Sequence, residues 1–304
     1  MRTASSHQKR KSSTLHPSPF TRKGIVYLVG AGPGNPKLIT VRGHELLKRA
    51  DVVVYDHLVS ERLLDVCRPD ARVIYAGKEQ GRHHLRQEDT NRLLISLAKR
   101  HQIVVRLKGG DPMLFGRGGE EALALARAKV PFEIVPGVTS AIAVPAYAGI
   151  PVTHRQLSSS VAMVTGHEDP AKPEQAVDWA RVATATDTLV CLMGVGTLRK
   201  TARQLIRFGR RASTPWAVIE WGTYARQRTI TGTLATIAGR CAQAKLSPPA
   251  IFVVGEVVRL RRWLNWFERA PLFGMRILVT RPTDRADQLA DLLVHRLRRD
   301  AQRL

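Results

Sequence analysis

The sequence predicts an α/β protein of two lobes, each a sheet covered by helices. Three observations carry the fold class. Runs such as Ile25-Val26-Tyr27-Leu28-Val29 and Ile103-Val104-Val105-Arg106-Leu107 have the length and β-branching of buried strands, and each enters a glycine-bearing loop. Segments with helical apolar spacing alternate with those runs, as over 40–50, 88–100 and 120–128. Further runs over 161–167, 188–194, 216–223 and 249–258 repeat the pattern. With 304 residues the chain can bury a sizeable core and hold two domains.

Composition narrows the class. Hydrophobic residues make up 44% of the chain, and no apolar run reaches the roughly eighteen residues of a membrane span. Cys67, Cys191 and Cys241 are odd in number and widely spaced. That suits a reducing, cytoplasmic setting and argues against a disulfide framework or a Cys-x-x-Cys zinc site. The net charge of +23 points by default to nucleic acid or another polyanion, but it is spread along the chain. Arg2, Lys9, Arg10, Lys11, Arg22 and Lys23 stand in an acid-free leader over 1–23, and more basic residues lie over 259–269 and 296–303. The leader reads as a disordered tail; a transit peptide shares its composition.

The elements follow in order. A strand over 25–29 opens into Gly30-Ala31-Gly32-Pro33-Gly34-Asn35. Asn35 stands where a dinucleotide fingerprint needs its third glycine, and Pro33 removes an N–H that a phosphate cradle would use. A helix over 40–50 turns Val41, Leu46, Leu47 and Ala50 inward, and a strand over 52–55 presents Asp56 at its carboxyl end, where open α/β sheets bind ligands. Asp56 either serves a site or caps the next turn. A helix over 60–67 starts at Ser60 as N-cap, and a strand over 73–78 ends at Lys78. Glu79 follows, and His83 and His84 lie in the next loop without the partners of a metal site. The most informative stretch is Leu107-Lys108-Gly109-Gly110-Asp111-Pro112-Met113-Leu114-Phe115-Gly116, a strand-to-helix loop whose backbone can approach a ligand and whose Asp111 can accept hydrogen bonds. Thr139 and Ser140 offer hydroxyls at a helix start, for a ligand or as an ordinary cap. In the second half, Met193 and Gly222 each follow a strand; taken alone, Met193 reads as core filler. Trp263, Trp266 and Phe267 close a short basic helix, where packing is favoured over nucleic-acid stacking.

The two glycine loops and Tyr55-Asp56-His57-Leu58-Val59, taken together, resemble the tetrapyrrole methylase family, over about residues 26–267. The resemblance implies two α/β lobes, 24–156 and 157–268, with the boundary near 155–159 and the active site in the inter-lobe cleft. It implies transfer of methyl groups from S-adenosylmethionine to C2 and C7 of uroporphyrinogen III, giving precorrin-2 through precorrin-1 on a route to sirohaem or cobalamin. It assigns Pro33, Gly109, Gly110, Asp111, Leu114, Thr139, Ser140, Met193 and Gly222 to the methyl donor. Asp56 becomes the candidate proton acceptor; Lys78 either donates a proton or pairs with substrate carboxylates. Departures from the family pattern are Glu79, where a basic residue is common, and Leu192, where a tyrosine is. No metal, nucleic acid or membrane is expected, and family members are usually homodimers. The octacarboxylate substrate offers another partner for the positive charge. The segment over 274–304 resembles a truncated opening strand and helix of a uroporphyrinogen-III synthase, from which no synthase activity follows. The rival readings are another methyltransferase of this fold, with a precorrin or RNA substrate, and a non-catalytic polyanion-binding protein.

Overall fold

The computed structural model describes residues 24–77, 86–166 and 177–275, with 277, 278, 280 and 289 beyond them. The leader, Lys78, Glu79, His83, His84 and most of the synthase-like segment therefore lie outside the described residues. Of that segment, Ile277 and Leu278 are described, and both are exposed.

The first half alternates β1 (Ile25–Gly30), α1 (Val41–Arg49), β2 (Val52–Tyr55), β3 (Arg72–Tyr75), α2 (Gln87–Ala98), β4 (Ile103–Lys108), α3 (Gly118–Arg127) and β5 (Phe132–Val135). These strands form one parallel sheet in the order β3-β2-β4-β1-β5. Because successive side chains point to opposite faces, each strand feeds two cores. Val53, Val105 and Leu107 pack with Leu46 and Leu47 of α1 on one face. Val52, Val54 and Val104 pack with Leu94 of α2 and Leu125 of α3 on the other. The helix expected over 60–67 is a 3-10 turn over Glu61–Val66, and Ser60 makes no side-chain cap bond there.

The second half comprises α4 (Ser140–Tyr147), β6 (Val161–Thr165), α5 (Trp179–Ala185), β7 (Thr188–Leu192), α6 (Leu198–Arg207), β8 (Pro215–Glu220), β9 (Arg228–Thr233), α7 (Ile237–Gln243), β10 (Ala250–Val254) and α8 (Arg261–Leu264). Its sheet runs β6-β7-β10-β8-β9, with β6 and β7 parallel and the other pairings antiparallel. Trp216 and Val218 of β8 face α5, α6 and α7, whereas Ala217 and Ile219 face Ala141 and Val144 of α4 and Ala148 just after it. Thus α4, which leaves the first sheet, forms a cover for the second. The segment expected to join the lobes makes a tight turn, with a bridge between His154 and Ser158. Burial pushes the Cys191 thiol up to about 12 and the Cys241 thiol up to about 11; the three cysteines are free.

Candidate active site

Parallel strands end at one edge, so the loops after β1, β4 and β5 meet there. The Ala31 N–H donates to Lys108 O (2.7 Å), the Gly32 N–H to Gly110 O (3.2 Å) and the Gly110 N–H to Gly32 O (2.7 Å). The loop before α4 closes against both: a Cβ on Gly30 would lie 2.4 Å from Gly137 Cα and 2.7 Å from Gly110 O. Gly110 is different. Its φ of +69° suits glycine, while the space its Cβ would enter is open, with the nearest atom, Ser140 N, at 3.8 Å. That opening lies beside the first turn of α4.

Asp111 binds the junction together. Its Oδ1 accepts from the Met113 N–H (2.8 Å) and its Oδ2 from the Gly137 N–H (2.9 Å). Thr139 is the N-cap of α4, accepting from the Ala141 N–H at 3.2 Å, as the capping alternative held. Leu114 reaches from the β4 loop onto the hydrophobic cluster that contains Val144 and Ile219. Pro33 stands between Gly32, bridged to Gly110, and Gly34, which abuts the ring of Tyr224.

Gly222 backs onto α4, where an added Cβ would lie 2.3 Å from Val144 Cγ1. Its neighbour Thr223 accepts from the Asn35 N–H through Oγ1 (3.0 Å), and Asn35 Nδ2 donates to Tyr147 Oη (3.1 Å). Met193 follows β7 at φ +55° and is 51% exposed, which removes the core-filler reading. The preceding Leu192 joins the cluster shared by Leu114 and Val144. Gly110, Asp111 and Ser140 therefore meet at one junction, with Pro33, Gly109, Leu114 and Thr139 on the segments that enter it; Gly222 meets Val144 of α4, and Met193 stands next to Leu192, outside that cluster.

Asp56 emerges from β2 beside β4, and its side chain is 29% exposed. It does not cap the next turn with its carboxylate. Instead Oδ1 accepts from Arg106 Nη2 (2.5 Å), and Lys108 Nζ lies 3.7 Å from Oδ2. Glu121 Oε1 on α3 joins Arg106 Nε (3.0 Å), Lys108 Nζ (3.0 Å) and Gln87 Nε2 (3.2 Å). The side chains of Arg106 and Lys108 are 4% exposed and that of Glu121 is 0% exposed. Burial opposes the Arg106 charge, but Asp56 and Glu121 outweigh it and raise its pKa. For Lys108, burial and then the neighbouring Arg106 prevail over both carboxylates, and its pKa is lowered. Sequence reading passed over this set. The available signal was a cation at alternate positions, Arg106 and Lys108, inside an otherwise apolar strand.

A cavity of about 500 Å³ on the second lobe, lined in part by Arg259, Arg261, Arg262 and Arg269, shares no residue with this junction. Among the described residues, no group of three His, Cys, Asp or Glu side chains is placed to hold a metal, and no helix is long and apolar enough to cross a membrane.

Two sheets joined through α4, with glycine loops gathered at the first sheet's edge, define a two-lobed α/β protein with an inter-lobe site. Residues 25–238 match the model of the tetrapyrrole (corrin/porphyrin) methylases, and the chain belongs to that family. It is 46% identical over 272 residues to the uroporphyrinogen-III C-methyltransferase of Bacillus subtilis (strain 168), covering 90% of this chain and 56% of that protein. It is 52% identical to the S-adenosyl-L-methionine-dependent uroporphyrinogen III methyltransferase of Methanosarcina barkeri (strain Fusaro), covering 78% of this chain and 93% of that one. The chain thus spans about half the length of the first curated relatives it matches. Among solved structures, a uroporphyrin-III C-methyl transferase from Thermus thermophilus complexed with S-adenyl homocysteine is 43% identical, with a TM-score of 0.67 over 78% of this chain and 94% of that chain.

Proposed function

We propose that this chain transfers methyl groups from S-adenosylmethionine to C2 and C7 of uroporphyrinogen III, giving precorrin-2 by way of precorrin-1. The single observation that carries the reading is the junction of the two glycine loops with the start of α4, from which Asp56 is separated only by the width of β4. It agrees with the activity named for relatives 46% and 52% identical, and with the S-adenyl homocysteine named in the Thermus thermophilus structure. The open space beside Gly110 and the half-exposed Met193 fit an adenosyl sulfonium compound. Pro33, Gly109, Gly110, Asp111, Leu114, Thr139, Ser140, Met193 and Gly222 are proposed to hold it. Some act through backbone: Asp111, with both oxygens on backbone N–H groups, keeps the loops in place.

Bound there, the sulfonium supplies an electrophilic methyl. The protein's task is to align an electron-rich pyrrole carbon with it and to take up the proton that the alkylated ring releases. Asp56 is proposed as that acceptor, and Lys78 as a proton donor or carboxylate partner. Lobes at 24–156 and 157–268, a cytoplasmic location and a homodimer complete the proposal. The test is incubation with uroporphyrinogen III and a labelled methyl donor. A product heavier by two CH2 units, one methyl gained and one proton released in each transfer, is expected. Salt-sensitive nucleic-acid binding without affinity for the donor would overturn the reading in favour of a polyanion-binding protein.

A further inference from the structure

Sheet interiors are expensive places for charge, and the set behind Asp56 stands in the middle of one. Arg106 lies on β4, in register with Leu28 of β1 on one side and Val54 of β2 on the other. Two residues on, Lys108 projects from the same face of the strand. That face packs against α2 and α3 through Val104, Leu94 and Leu125, all fully buried. Apolar side chains at these positions would extend the core without desolvating ions, so the fold itself does not call for four charged groups here.

Their arrangement is directional. Arg106 spans the gap between Glu121 and Asp56, giving Nε to one and Nη2 to the other, while its Nη1 reaches Val54 O at 3.4 Å. Lys108 sits between the same two carboxylates, 3.0 Å from Glu121 and 3.7 Å from Asp56. Glu121 is locked by both cations and by Gln87, and its Oε2 has no hydrogen-bond partner. The two cations and two carboxylates cancel formally. Only Asp56 reaches solvent, so the set has three members inside the core and one at the mouth of the site.

We propose that Arg106, Lys108 and Glu121 are positioning residues that present Asp56 as the proton acceptor, with Oδ1 fixed by Arg106 and Oδ2 directed to substrate. Glu121 holds the two cations in place and balances their charge. This inference rests on the reading of Asp56 as the acceptor for uroporphyrinogen methylation. The acceptor is therefore built from the sheet interior outward, rather than by its own loop.

The test is a double-mutant cycle on the full chain, measuring kcat, KM and calorimetric affinity for S-adenosylhomocysteine. Arg106→Lys, Arg106→Met, Lys108→Met and the isosteric Glu121→Gln are made with Asp56 present and in an Asp56→Asn background. With Asp56 present, each is expected to lower kcat by about tenfold or more while KM and affinity stay within about twofold. Arg106→Lys should retain more turnover than Arg106→Met. In the Asn background the same changes should cost less than about twofold in the residual kcat, because they have lost the group they act through. Equal losses in both backgrounds, or losses falling on affinity, overturn the inference and leave Asp56 as acceptor. Wild-type turnover by Asp56→Asn overturns the acceptor reading itself. If Arg106→Met fails to fold, Arg106→Lys and Glu121→Gln decide the outcome by the same comparison.

Discussion

Single residues divide here into those that shape the site and those that touch what it binds. Gly30 belongs to the first kind. A methyl at that position meets backbone atoms of Gly137 and Gly110 rather than a movable side chain. Gly30→Ala should therefore spread the three loops and lower both melting temperature and affinity for S-adenosylhomocysteine; unchanged affinity would show that the junction tolerates opening. Met193 is proposed for the second kind. Being half exposed, it contributes little packing, so Met193→Ala should leave stability within about 0.5 kcal/mol and reduce donor affinity. Calorimetry and thermal unfolding of one variant separate the two effects. Asp56 was legible as a carboxylate at a strand end, whereas its partners Arg106 and Glu121 were not. They are fifteen positions apart in sequence, and only the packing of α3 on the sheet brings them to 3.0 Å.

Among the elements, strands with continuous β-branched runs were legible because both faces are buried, as β2, β4 and β10 show. The edge strand β9, Arg-Thr-Ile-Thr-Gly-Thr, was passed over because its burial is partial and four of its six residues are polar. Its pairing with β8 is secured at one end by Glu220. Burial works against that carboxylate's charge, but the Ser247 N–H (2.9 Å) and hydroxyl (2.8 Å) and the Arg228 guanidinium (2.6 Å) outweigh it. The carboxyl is held below its ordinary value of 4.5. A depressed folded-state value means that the contribution is complete above that ordinary value and is lost as pH falls through the folded one. Glu220→Gln should accordingly lower the melting temperature at neutral pH, and its deficit relative to the wild type should shrink as the medium is acidified below about pH 4.5. A deficit independent of pH would remove Glu220 from the acid response.

For the whole molecule, α4 is the decisive joint. It starts at the first sheet's edge, covers the second sheet, and carries Val144 against Gly222. A ligand seated at its first turn contacts both halves, so S-adenosylhomocysteine at a hundredfold its dissociation constant should raise unfolding stability by about 2.7 kcal/mol in a single transition. Two separate transitions, only one of them shifted, would show that the donor binds one lobe alone. The +23 charge acts at this scale as well. With an octacarboxylate substrate, kcat/KM should fall as salt rises, while affinity for the donor changes little.

By itself the sequence determined the α/β class, the glycine loops and the residues at strand ends, because those follow from local periodicity and from backbone conformations that few residue types adopt. The tertiary structure alone decided that α4 closes the second sheet, that Asp111 spends its carboxylate on backbone, and that Asp56 is held from the core. Each of these depends on groups far apart in the chain meeting within hydrogen-bonding or van der Waals distance, and no local pattern encodes which distant partner a buried charge or an apolar helix face will find.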